Sequence, residues 1–116
     1  MIDKNKFAQN WIADWNSHDL DEILSHYTDD FEITTPMIKM ALGNDTGTLK
    51  GKQAIREYWE QALQKFPDLE FKFFDVAQGV HSIVLYYQSV MDKKAMEVMF
   101  FDDDNKIYKV IAHYSD

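Results

Sequence analysis

Apolar residues near the start of the chain recur at helical spacing. Phe7, Ala8, Trp11, Ile12 and Trp15 fall on one face, which predicts an amphipathic helix over residues 3–16. Asn16-Ser17-His18 breaks that period. Asp19 is a capping residue with Glu22 at the third helical position after it, so a second helix is expected from Leu20 to about Tyr27. Phe31, Ile33 and Thr35 then alternate with Glu32 and Thr34, giving a short strand closed by Pro36. Residues 37–50 carry Gly43-Asn44-Asp45 and Gly47 and read as a long loop with one helical turn near Met37–Leu42. Ile55, Tyr58, Trp59, Ala62, Leu63 and Phe66 mark the buried face of a third helix over residues 52–65, stopped by Pro67-Asp68.

From Leu69 onward the period is two. Strands are expected at 69–77, 81–91, 95–102 and 106–114, separated by Gln78-Gly79, Asp92-Lys93 and Asp103-Asp104. Helices first and an antiparallel meander afterwards is an α+β pattern, here in a single domain spanning residues 1–116. A turn at Asp103-Asp104 pairs Phe101 with Lys106, Met99 with Tyr108 and Glu97 with Val110. One face then carries Glu97, Met99, Phe101, Tyr108, Val110, Ala112 and Tyr114, and the other Met96, Val98, Phe100, Ile107, Ile111 and His113. Both faces are apolar, whereas a sheet open to water on one side shows one polar face. The second face is therefore expected to meet another subunit, most simply in a homodimer.

Composition narrows the partners. The net charge is −8 and Arg56 is the one arginine, so the clustered positive charge of a nucleic-acid surface is missing. No apolar run approaches a membrane span, and the first residues lack the apolar core of a secretory leader; a cytoplasmic location is expected. Cysteine is absent, which removes disulfide and thiolate chemistry. Four histidines without short ligand spacing give no metal signature, and no cofactor is expected. The Gly47–Gln53 stretch has the wrong spacing for a phosphate loop, and Asp102–Asn105 lacks the terminal glutamate of a calcium loop.

Three stretches together resemble the nuclear-transport-factor-2-like superfamily, in its SnoaL-like and ketosteroid-isomerase-like branch. They are Asp19 to Asp30, the Gly51-Lys-x-Ala-Ile-Arg-x-Tyr-Trp59 start of the third helix, and the closing Lys106-Ile-x-x-Val-Ile-x-His-Tyr114 strand. The resemblance covers nearly the whole chain. It implies a cone of three N-terminal helices packed on a curved, mostly antiparallel sheet, with a cavity between them and dimers formed through the outer sheet face. Aligned with ketosteroid isomerase, Thr35 stands where that enzyme has its proton-shuttling aspartate and Trp11 where it has a tyrosine. Glu97 stands where it has a protonated aspartate. A threonine hydroxyl cannot act as a carboxylate base, nor an indole as a phenolic acid, so ketosteroid isomerisation is not expected. The arginine-bridged aspartates of epoxide hydrolases and the helix-one aspartate of scytalone dehydratases find no match either.

Glu97 is the leading catalytic candidate because it interrupts the apolar run Ala95–Phe101 on the expected inner face. A carboxyl among such neighbours holds its proton to higher pH and can serve as general acid or hydrogen-bond donor. Trp11, Trp15, Ile33, Thr35, Trp59, Met99, Tyr108 and Val110 are expected to line the cavity with it. His26 reads as a half-buried histidine bonded to a nearby carbonyl, Asp14 faces either solvent or the cavity mouth, and His113 is an outer-face residue that a one-residue slip of register would bring into the cavity. Tyr86 and Gln88 share the inner face if Asp92-Lys93 is a two-residue turn. Three functions compete on this reading. The first is a cofactor-independent isomerase, cyclase or hydrolase/lyase acting on an apolar polycyclic or aromatic metabolite. The others are a non-catalytic binding protein using the same cavity and a dimeric interaction module.

Overall fold

A computed structural model describes residues 2–116; Met1, the first residue of the expected span, lies outside them. Helix α1 runs Lys4–Ser17, and the Asp3 carboxylate opens it by accepting from the Asn5 and Lys6 amides at 3.1 and 3.2 Å. His18 closes it in the left-handed region, with its ring 2.8 Å from the Leu69 carbonyl. Helix α2 is shorter than its pattern suggests, Leu20–Leu24, capped by Asp19 as expected. The chain leaves it at Ser25, and Tyr27 already opens strand β1, Tyr27–Thr34. Pairing with the C-terminal strand outweighs helix propensity there, through bonds such as the Ile107 amide to the His26 carbonyl at 2.9 Å.

The expected long loop is ordered into two elements. Helix α3, Pro36–Leu42, starts on Thr35, whose hydroxyl accepts from the Met37 amide at 3.1 Å, and Pro36 takes the first helical position where its missing N–H costs nothing. Strand β2, Thr48–Lys50, then pairs antiparallel with β1. Gly47 makes this return possible: its φ is +67, and a Cβ there would stand 2.9 Å from the Thr35 carbonyl oxygen. Helix α4 spans Lys52–Lys65 as the apolar spacing predicts.

Strands β3 (Lys72–Gly79), β4 (Ser82–Gln88), β5 (Lys94–Phe101) and β6 (Ile107–Ser115) complete one six-stranded sheet in the order β2-β1-β6-β5-β4-β3. All pairs are antiparallel except β1 with β6. The architecture is α+β, with four α-helices where the pattern suggested three and a part turn, and a mixed, curved sheet. Bulges between Phe73 and Asp75 and between Phe100 and Phe101 bend it.

Two registers differ from expectation, with opposite consequences. The β5–β6 loop holds three residues rather than two, with Asn105 at φ 60, and the bulge adds a second one-residue displacement. The two displacements cancel in parity, so Glu97 faces Ala112 and Met99 faces Val110 on the inner side. Between them the faces exchange: Ile107, expected outside, is fully buried, while Tyr108, expected in the cavity, is 45% exposed on the outer surface. The β4–β5 connection is longer than Asp92-Lys93. A 3₁₀ turn at Val90–Asp92 is clasped by the Ser89 amide on the Lys93 carbonyl at 2.7 Å. Leu85 consequently faces Glu97 and Tyr87 faces Ala95, so Tyr87 points inward, not Tyr86 and Gln88.

The inner face and the helices bury one core that includes Trp11, Trp15, Trp59, Phe31, Leu85 and Met99. The outer face, with cross-strand rows Val84–Val98–Ile111 and Tyr86–Met96–His113, is half-buried to exposed.

Candidate functional site

Three side chains on adjacent strands converge because of the register. Tyr87 on β4 and Tyr114 on β6 both face Ala95 on β5, and Glu97 stands one inner-face step along the same strand. The small Ala95 leaves room for the two phenols to lean toward each other. The Tyr87 hydroxyl donates a short hydrogen bond to Glu97 Oε1, while Oε2 has no protein partner among the described residues. Tyr114 lies close enough to Thr35 and Tyr87 for their hydroxyls to oppose the rise that burial imposes on its pKa.

These groups line a cavity of about 100 Å³ whose walls include Trp11, Trp15, Trp59, Tyr58 and Phe71. Its aromatic side is rigidly built. Trp15 and Trp59 meet edge to face at 4.9 Å between centroids, and Phe71 packs on Tyr87 at 4.7 Å. Trp11 Nε1 donates to the Tyr27 hydroxyl at 2.9 Å, so this indole is committed to the scaffold. Trp15 Nε1 is buried without a hydrogen-bond partner, close to the same Tyr27 oxygen that Trp11 already occupies.

Glu97 is 6% exposed, and no lysine, arginine or histidine lines the cavity among the described residues. Burial penalises its ionised form and raises its pKa from 4.5 to about 7; the Tyr87 bond pulls the other way without cancelling the effect. Tyr87 itself is pushed well above the usual phenol range, first by burial and then by the Glu97 charge. Near neutrality the cavity therefore contains one group able to gain or lose a proton, flanked by two neutral phenols.

The structure brings six of the expected residues to the cavity: Trp11, Trp15, Ile33, Thr35, Trp59 and Glu97. Met99 and Val110 face inward but are fully buried in the core beneath it, and Tyr108 lies outside. Tyr87 comes inward because the β4–β5 connection is longer than the two-residue turn the pattern suggests, whereas Tyr114 follows from the alternation of β6. His26 bonds a side chain rather than a carbonyl: its Nε2 is 2.6 Å from Asp14 Oδ2, away from the cavity, so Asp14 is not simply solvated. His113 is exposed on the outer face, and Arg56 pairs with Asp21 at 2.8 Å on the surface. No helix among the described residues is long and apolar enough to cross a membrane.

The sequence profile described as the SnoaL-like domain matches residues 8–108. A SnoaL-like protein of unknown function from Burkholderia thailandensis E264 is 41% identical, with a TM-score of 0.94 over 97% of this chain and 93% of that one. An NTF2-like protein of unknown function from Cytophaga hutchinsonii superposes with a TM-score of 0.75 at 12% identity, covering 99% of this chain and 92% of its own. The epoxide hydrolase/cyclase-like enzyme SalBIII, of pyran ring formation in the polyether salinomycin, gives 0.74 at 18% identity over 96% and 89% of the two chains. The last two likenesses are of fold alone. No curated protein matches the chain.

Proposed function

The chain belongs to the SnoaL-like domain family, and on that premise we propose that its cavity binds a small, largely apolar molecule whose polar group meets Glu97. The observation that carries this reading is the divided carboxyl: Oε1 is held by Tyr87, and Oε2 is left to whatever fills the cavity. With a pKa of about 7, Glu97 can donate a proton or hydrogen bond to a carbonyl, or take a proton from an acidic position on the ligand. Acid–base catalysis without a cofactor is the activity these groups fit. Binding without turnover is the second reading, favoured by the absence of another group that titrates near neutrality.

Size refines the ligand. A cavity of about 100 Å³ is below the roughly 300–1,000 Å³ of sites that engulf drug-sized molecules, so the part of a ligand inside it is a single ring rather than a polycycle. Larger ligands would extend through the mouth. The uncovered apolar face of β4, β5 and β6 supports a homodimer in the same proposal, and a cytoplasmic protein is the setting it assumes.

Native mass spectrometry of the protein purified from its own host tests the ligand. A bound small molecule retained by the parent protein and lost from Glu97→Gln is the expected result. Retention of the same molecule by the variant would remove Glu97 from recognition.

A further inference from the structure

The cavity opens into a second, polar groove of about 380 Å³, and Phe66, Leu69, Ser89 and Val90 line both. One wall of the groove is the segment after α4, Lys65 to Glu70; the other is the β4–β5 connection from Gln88 to Asp92. The connection holds Met91 and Asp92 at φ 58, a conformation non-glycine residues rarely adopt. Ser89 stands at the junction. It is 6% exposed, its amide is taken by the Lys93 carbonyl, and its hydroxyl has no protein partner among the described residues. The Ser89 hydroxyl, open to the neck that cavity and groove share, and the free Glu97 Oε2 inside offer polar contacts at two depths.

The charges of the groove are one-sided. Asp68, Glu70 and Asp92 line it against the single ammonium of Lys65, which rests over the Phe66 ring at 5.6 Å. Asp92 Oδ1 also accepts from Gln88 at 3.1 Å, which orients the carboxylate without neutralising it. An anionic group leaving the cavity mouth would meet three carboxylates, and a cationic one would be attracted.

We propose that the ligand is bipartite: a one-ring apolar head with a hydrogen-bonding group at Glu97, passing Ser89 to a cationic tail in the Lys65–Glu70 and Gln88–Asp92 groove. This rests on the cavity reading above and adds the chemistry of the part outside it.

Three phenols with the same head separate the two ideas: 4-ethylphenol, without a charged tail; tyramine, with an ammonium; and 4-hydroxyphenylacetate, with a carboxylate. Quenching or shift of the fluorescence of Trp11, Trp15 and Trp59, which line the cavity, reports entry. At low ionic strength tyramine should bind about fivefold or more tighter than 4-ethylphenol, and 4-hydroxyphenylacetate weaker by a similar factor. Both differences should shrink in about 1 M salt, where the screening length falls to about 3 Å. The exposed double variant Glu70→Gln/Asp92→Asn should bring tyramine close to 4-ethylphenol while leaving 4-ethylphenol itself unchanged. Glu97→Gln should weaken all three. Equal binding of the three phenols, still dependent on Glu97, would overturn the cationic tail and leave the cavity reading standing. Failure of all three, 4-ethylphenol included, would overturn the tail and the one-ring head together.

Discussion

Replacing Glu97 by glutamine should flatten the dependence of stability on pH. In the folded chain Glu97 keeps its proton up to about 7, against 4.5 for an ordinary glutamate, because burial removes the ionised form from water. The folded state therefore binds this proton more tightly than the unfolded chain does. The stability that results is fully present below 4.5 and is lost as pH rises through 7. At about 1.36 kcal/mol per pH unit, the gap between those values makes the loss about 3 kcal/mol by pH 8. Urea unfolding followed at intervals from pH 4 to 8.5 measures it, and the difference between parent and variant isolates Glu97 from the other ionisable groups of the chain. Glutamine keeps an oxygen for the Tyr87 hydroxyl and carries no charge, so its curve should lack this fall. A second substitution checks the cause. Tyr87→Phe removes a hydrogen bond that favours the ionised form, so the fall should start at the same pH but extend about one to two units higher, since bonds to charged groups are worth about 1.5–3 kcal/mol. Parallel curves for parent and Glu97→Gln would refute the reasoning, because they would mean the carboxyl is solvated or already paired.

Phe100→Lys should dissociate or aggregate the protein. It places a charge on the proposed interface beside Val98 and Lys109, and a buried unpaired charge costs several kcal/mol; light scattering that finds a monomeric parent at tens of micromolar would remove the basis for this. No turnover of a Δ5-3-ketosteroid above the solution rate is expected. The Thr35 hydroxyl caps α3, the Trp11 indole is bound to Tyr27, and about 100 Å³ cannot enclose four rings; a spectrophotometric assay of the conjugated product showing clear acceleration would contradict all three points.

Local pattern determined a large part of this protein. The spacing of Phe7, Trp11 and Trp15 specifies α1, and Asp19 specifies the cap of α2. The Ile55–Trp59 face specifies α4, and the interruption of an apolar strand by Glu97 marks the one carboxyl worth following inward. These features are legible because each is written in residues a few positions apart, where side-chain periodicity and capping act directly. What surrounds Glu97 was decided elsewhere. The Ser89 clasp on Lys93 and the bulge at Phe101 change strand register by single residues, and in a period of two a single residue exchanges the faces. Tyr87 entered the site and Tyr108 left it for that reason alone. Likewise α3 and β2 replace a loop because Gly47 lets its backbone close against Thr35, a contact between residues twelve positions apart. The cavity size, the free Oε2 and the groove at the mouth exist only once six strands and four helices have fixed one another's positions, since each depends on side chains that sequence distance keeps apart and packing brings together.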